Sequence, residues 1–311
     1  MLGFLRSVCA VSMLVSAGVC LPGCTSFLGR VMVTAPNDLT PLTPAATASP
    51  AARSLMGVDQ QFAVEVGPPT ATLSISVVEP EERTEPRGTV LVLHGIWASS
   101  VWMLGTAHRL SEDGFRAVLV DLRGHGRSGG DGLTYGQREA EDVSQVIDEL
   151  QRRKLVVGPL GIYGISYGAT TSIHVAGIDP RIRAVVAVAP FSAMRDVVPD
   201  YSRTVLPGVE RLISDETLQE AVDVAGELSQ FDPDKSTAIA AIRKTTAPAL
   251  IVHGTEDWLV PPYHAVRLHE VARDHSKLVF VPYAGYVTIW FDPSGTVAQE
   301  ASDWFLKTLG P

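Results

Sequence analysis

The stretch GIYGISYGA at residues 161–169 sets Gly164-Ile165-Ser166-Tyr167-Gly168 between an apolar, strand-like run and a helix-like one. Gly-x-Ser-x-Gly at such a junction is the pattern of a serine nucleophile raised on a sharp strand-to-helix turn. The glycines have a steric reason. The turn holds the serine in a strained conformation, and only residues without side chains let the neighbouring backbones come that close. The helix that follows offers the backbone N–H of Tyr167, at its positive end, to an oxyanion. The five-residue pattern alone is weak, because Gly126-Arg127-Ser128-Gly129-Gly130 matches it too. Context separates them: Ser128 lies in a loop of several glycines with no helix beginning at once. Gly124, Gly126 and Gly129 of that loop also carry dinucleotide-fingerprint spacing, but the fingerprint opens a helix directly and this one runs into GGDGLTYG.

Outward from Ser166, the chain alternates strand-like and helix-like segments, the sign of a mostly parallel sheet with helices on both faces. The runs TVLVLHG (89–95), FRAVLVD (115–121), LGIYG (160–164), RAVVAVAP (183–190), ALIVHG (249–254) and KLVFVP (277–282) are continuous Val, Leu and Ile. Strands covered on both faces have that character. Two earlier strands, QFAVEV (61–66) and TLSISVV (72–78), are set to pair antiparallel through GPPT, giving eight. Helices are expected near 98–112, 135–153, 167–178, 262–273 and 294–308. From about 191 to 246 helical patterns follow one another without a strand, which is long for a connection and reads as a small helical cap.

A chain of 311 residues with 46% hydrophobic and 19% charged side chains has the composition of a globular protein, which excludes wholesale disorder. Its formal charge of −9 lacks the basic footprint of a nucleic-acid binder, so nucleic acid is not an expected partner. The three cysteines, Cys9, Cys20 and Cys24, all lie near the N-terminus, which rules out cysteine catalysis in the main domain. No metal-ligand spacing appears and no cofactor is implied.

The first segment has Arg6, then the uncharged SVCAVSMLVSAGVCLPGC, in the order of a signal peptide. Its end, Leu21-Pro22-Gly23-Cys24, resembles the bacterial lipobox, with Pro22 departing from the usual small residue. The resemblance implies a signal peptide over 1–23, a lipid anchor on Cys24 and an exported lipoprotein; Thr25 after the cysteine implies outer-membrane sorting. The other reading is an ordinary secretory signal with an incidental cysteine. Residues 24–57, rich in Pro, Ala, Thr and Ser, read as a tether. As a flexible chain it would hold a domain spanning 58–311 about 30 Å from its anchor.

Further features carry a family resemblance. His94-Gly95-Ile96-Trp97 follows the strand TVLVL, DLRGHGRS spans Asp121 to Ser128, and IVHGTEDWLVPP supplies Asp257 after a late strand. With these and the turn at Ser166, residues 60–309 resemble the α/β-hydrolase family, close to its capped serine esterases and lipases. The resemblance implies Ser166 as nucleophile, Asp257 as the acid, and the N–H groups of Ile96 and Tyr167 as oxyanion hole. The substrate it implies is a small ester or lipid-like molecule. Trp97, Trp102, Tyr167 and Trp290 are candidates to line an apolar pocket, or else plain core.

The third group of the family's order is a histidine just after the last strand, where the chain reads LVFVPYAGYVTIWFDP and Tyr286 occupies the position. No histidine follows His275. A phenol with a pKa near 10 is ionised in about one molecule in a thousand at pH 7, so it is a poor base for a serine. Tyr286 has either Asp257 or Ser166 as a hydrogen-bond partner. Three readings stay open: a hydrolase fold that has lost efficient acyl hydrolysis and binds a ligand or protein; a working hydrolase that recruits another base, with His94 and His125 the nearest candidates; and a different chemistry or a one-residue departure from an active sequence.

Overall fold

The computed structural model describes residues 23–39, 49–80, 85–205, 208 and 213–310. Eight strands form one sheet: β1 Gln60–Val66, β2 Ala71–Val78, β3 Thr89–Leu93, β4 Arg116–Val120, β5 Leu160–Ile165, β6 Ile182–Val188, β7 Ala249–Gly254 and β8 Ser276–Val281. Their order is β1-β2-β4-β3-β5-β6-β7-β8. β2 runs antiparallel to both β1 and β4, and the remaining pairs are parallel. The antiparallel start through GPPT is therefore as expected. β3, β5 and β7 are buried along their whole lengths, which is why their sequences are unbroken apolar runs.

The helices are α1 Gly23–Val33, α2 Pro36–Leu39, α3 Pro50–Leu55, α4 Leu104–Glu112, α5 Gln137–Arg152, α6 Tyr167–Ile178, α7 Met194–Val205, α8 Asp215–Ser229, α9 Ala238–Ile242, α10 Tyr263–Val271, α11 Tyr286–Phe291 and α12 Thr296–Leu309. Successive residues of β3 feed opposite cores, because side chains alternate along a strand. Leu91 and Leu93 join Val143, Ile147 and Ile173 of α5 and α6, whereas Val90 and Val92 join Ala107, Leu110 and Phe305 of α4 and α12.

Among the described residues of 194–242 the regular elements are the helices α7 to α9, in the stretch where a helical cap was expected. Its own core of Met194, Val198, Leu218, Val222, Ala225 and Phe231 also includes Val33. The cap is pinned to α10 at several points. Ser192 Oγ meets His264 Nδ1 at 2.8 Å, Tyr263 donates to Asp200 at 2.5 Å, and Arg267 donates to Asp196 at 2.8 Å.

Residues 24–57 do not form the expected free tether, although 40–48 of that stretch lie outside the described residues. α1 packs along α8 so closely that a Cβ on Gly29 would come within 2.7 Å of Ala221 O. Leu133 N–H donates to Val33 O, and Asn37 donates through Nδ2 to Ser128 O, each at 3.0 Å. Ala35 and Arg53 are buried. A few well-placed apolar residues and one charge do what periodicity did not announce. The signal-peptide reading of 1–23 falls, apart from Gly23, outside the described residues.

Candidate active site

β5 ends at Ile165, α6 begins at Tyr167, and Ser166 is the single residue that turns one into the other, with φ 53° and ψ −115°. A left-handed conformation in a non-glycine residue costs about 1–3 kcal/mol and persists only where its surroundings impose it. Ser166 N–H donates to Val188 O at 2.8 Å, and Ser166 O accepts from Thr170 N–H at 3.0 Å. A Cβ on Gly168 would fall 2.5 Å from the carbonyl oxygens of both Leu93 and His94, and one on Gly164 would collide with Gly168 O. The two glycines thus let α6 pass directly against β3 and β5. Ser128, the competing match, is a loop residue whose hydroxyl donates to Asp121 O at 2.5 Å and accepts from Ser74 N–H at 2.8 Å. It is a structural crosslink.

Tyr167 opens α6, so its N–H has no partner within the helix. Its ring does not line an apolar pocket. It lies buried, edge-on to Tyr135 at 5.7 Å, with its hydroxyl donating to Glu139 Oε1 at 2.8 Å. Glu139 is fully enclosed and also accepts from Thr134 N–H, Thr134 Oγ1 and Gly136 N–H at 2.7–2.9 Å. Burial and this carboxylate push the Tyr167 phenol well above its ordinary pKa. Sequence reasoning missed Glu139, whose only signal was a carboxylate on the inward face of an amphipathic helix.

The loop from His94 to Ser99 carries Ile96. Trp290 lies against Gly95, beside this loop, whereas Trp102 is half exposed. His94 is spent on the backbone: Nδ1 donates to Gly95 O at 2.8 Å and Nε2 accepts from Leu122 N–H at 3.0 Å. His125 donates through Nδ1 to Arg123 O at 2.7 Å, and burial lowers its pKa to about 3. Among the described residues neither histidine is a hydrogen-bond partner of Ser166, so the structure does not bring the recruited-base candidates to the nucleophile.

Tyr286 is. It begins α11, and its hydroxyl donates to Ser166 Oγ at 3.1 Å. Burial, joined by the charges of Tyr201 and Asp257, holds its phenol above the ordinary range despite the bond to Ser166. Asp257 is buried, more deeply than the half-buried Tyr286. Oδ1 accepts from Leu259 N–H at 3.0 Å and Val260 N–H at 2.9 Å, while Oδ2 has no hydrogen-bond partner among the described residues. Among the described residues the basic nitrogen within 4 Å of it is His253 Nε2 at 3.6 Å, already donating to Val260 O at 2.7 Å. Burial raises the Asp257 carboxyl to about 6. Among the described residues the site thus holds an acid with one idle oxygen, a serine, and a phenol hydrogen-bonded to that serine. Cys24, the expected anchor, lies in the first turn of α1.

The family model described as serine aminopeptidase S33 matches residues 84–239. The uncharacterized protein YqkD of Bacillus subtilis is 27% identical over 193 residues, covering 61% of this chain and 62% of that protein. The putative protein-lysine deacylase ABHD14B of Rattus norvegicus is 34% identical over 129 residues, 39% of this chain and 58% of that protein. The chain thus spans less than two thirds of the length of these curated relatives. The esterase Pf2001 of Pyrococcus furiosus superposes with a TM-score of 0.65 at 19% identity, covering 85% of this chain and 98% of that one. Est1E of Butyrivibrio proteoclasticus, solved with ferulic acid, superposes with a TM-score of 0.60 at 19% identity over 79% and 99%. These two show the fold alone.

Proposed function

The chain belongs to the α/β-hydrolase family described as serine aminopeptidase S33, and from that membership we propose that it is a serine hydrolase of small esters or acyl groups, slowed at the proton-transfer step. Ser166 is the nucleophile, Ile96 and Tyr167 offer the oxyanion N–H groups, and Asp257 is the acid. The observation that carries the reading is the bond from Tyr286 Oη to Ser166 Oγ. When Oγ adds to an acyl carbonyl its proton must leave, and Tyr286 already donates to that oxygen instead of accepting from it. Loss of a triad member leaves roughly 10³ to 10⁴-fold catalysis over water from the oxyanion hole and binding. The same bond favours a second reading, in which Tyr286 caps the serine and the site binds a ligand or a protein without turnover.

The test is labelling with a fluorophosphonate and turnover of short p-nitrophenyl esters by the unaltered protein, Ser166→Ala and Tyr286→His. Tyr286→His is expected to raise turnover at least tenfold, because imidazole takes the serine proton and returns it to the leaving alcohol. Normal hydrolase rates in the unaltered protein, slowed by Tyr286→His, would overturn the account. Three inert proteins would favour the binding reading. We further propose that Cys24 carries a lipid and tethers the domain to an envelope membrane, on the strength of Leu21-Pro22-Gly23-Cys24. Palmitate incorporation lost in Cys24→Ser is the expected result; incorporation retained there refutes it.

A further inference from the structure

Asp121 closes β4, is fully buried, and gathers donors from three parts of the chain. Oδ1 accepts from Ser100 N–H at 2.6 Å, and Oδ2 accepts from Arg127 N–H and from Arg53 Nη2, each at 3.1 Å. Burial works against its charge, but His94 and Arg53, with the Ser100 donor, hold the carboxyl below its ordinary range. Arg53 belongs to the six-residue α3, in the stretch whose composition reads as a tether, yet it is 2% exposed. Its other terminal nitrogen, Nη1, donates to Ser100 Oγ at 2.9 Å and to Ser76 Oγ at 3.0 Å. One guanidinium fork therefore ties the N-terminal segment, β2, Ser100 just after the Ile96 loop, and Asp121 just after β4.

Ile96 hangs between two fixed points. On one side His94 is bonded to Leu122 N–H; on the other Ser100 is held by its N–H on Asp121 and its Oγ on Arg53. An oxyanion donor works only within about 0.5 Å of its proper place. We infer that Arg53 is a positioning residue for the loop that carries the Ile96 N–H, so that a segment preceding the family match at 84–239 belongs to the catalytic apparatus. The inference rests on the serine-hydrolase reading for its catalytic consequence, and on geometry alone for the placement of the loop. If Arg53 merely fastened the N-terminal segment, its loss would lower stability and leave the loop and the chemical step as they are.

Lysine at this position keeps a charge for Asp121 but has no planar fork to reach Ser76 and Ser100 together. Removing the charge outright leaves Asp121 buried and unpaired, which risks unfolding. The experiment therefore compares Arg53→Lys with the charge-balanced pair Arg53→Met and Asp121→Asn, each placed in Tyr286→His, by ester kinetics and by amide hydrogen exchange. Arg53→Lys is expected to lower kcat about 10 to 100-fold with KM within about twofold, since a misplacement near 1 Å costs on the order of 10² in rate. Exchange at residues 96–100 is expected to accelerate in both variants while α6 stays protected, with arginine alone restoring both readouts. Unchanged kcat and unchanged exchange in folded Arg53→Lys overturn the inference. If Tyr286→His proves inert, the hydrolase reading falls, and the exchange of 96–100 still decides whether Arg53 holds the loop.

Discussion

Asp257→Asn is expected to gain stability relative to the parent as pH rises to neutrality, the reverse of what removal of a buried charge with a partner does. Burial holds the folded carboxyl at about 6 against an ordinary 3.8, so the folded state favours the protonated acid. Below the ordinary value both states are protonated and no cost arises. As pH rises through 3.8 the unfolded chain releases its proton first, and the cost grows until the folded acid ionises near 6. Two pKa units correspond to about 3 kcal/mol of lost stability above that point. Asparagine keeps an oxygen for Leu259 and Val260 N–H. Its amide takes the place of the idle Oδ2 and stays unpaired, at a cost of about 1–3 kcal/mol that does not depend on pH. The difference between variant and parent should therefore move in the variant's favour by about 2–3 kcal/mol between pH 4 and pH 7.5, whatever its starting value. Urea denaturation at the two pH values measures it. A difference that does not change with pH would refute the idea that the carboxylate is stranded by the absence of an imidazole. The reciprocal check is the same substitution in Tyr286→His, where the carboxylate gains a partner and its loss becomes destabilising at pH 7.5.

Two further outcomes follow from the elbow. Gly168→Ala sets a methyl 2.5 Å from two backbone carbonyls that cannot retreat without parting α6 from β3, so a loss of more than about 3 kcal/mol is expected in thermal or urea unfolding. Glu139→Gln replaces an acceptor that serves four donors by a group with only one acceptor oxygen. It should cost about 2–4 kcal/mol and slow fluorophosphonate labelling of Ser166, since Tyr167 loses its hold; unchanged stability would show that the Glu139 cluster is not a support of the turn.

The sheet was legible because its strands are covered on both faces, leaving Val90 to Leu93 and Val185 to Val188 as unbroken apolar runs that admit few other readings. Ser166 was legible for a similar reason: the steric demand of the turn writes itself into Gly164 and Gly168. What the residues did not disclose depends on distance. Tyr286 had two partners within reach in principle, and only its placement at the start of α11 shows that the phenol meets the serine and leaves Asp257 Oδ2 idle. Histidines 94 and 125 looked available because nothing in a sequence reveals that both ring nitrogens of His94, and Nδ1 of His125, are spent on backbone groups. Arg53 was hidden more deeply, since an arginine among Pro, Ala and Ser reads as solvated, and its burial depends on Ser76, Ser100 and Asp121, far along the chain.

The packing of α1 along α8 has a mechanical meaning. A chain of 30-odd loose residues would let the domain swivel and would decouple its heading from whatever lies upstream of Gly23. Here the slack is gone at the first turn of α1, and the cap is the part gripped. An attachment made at the first turn of α1 itself would steer the domain like a rudder post, so that the heading of Ser166, and with it the direction from which molecules reach the site, would be set by that attachment and not by diffusion of a pendant.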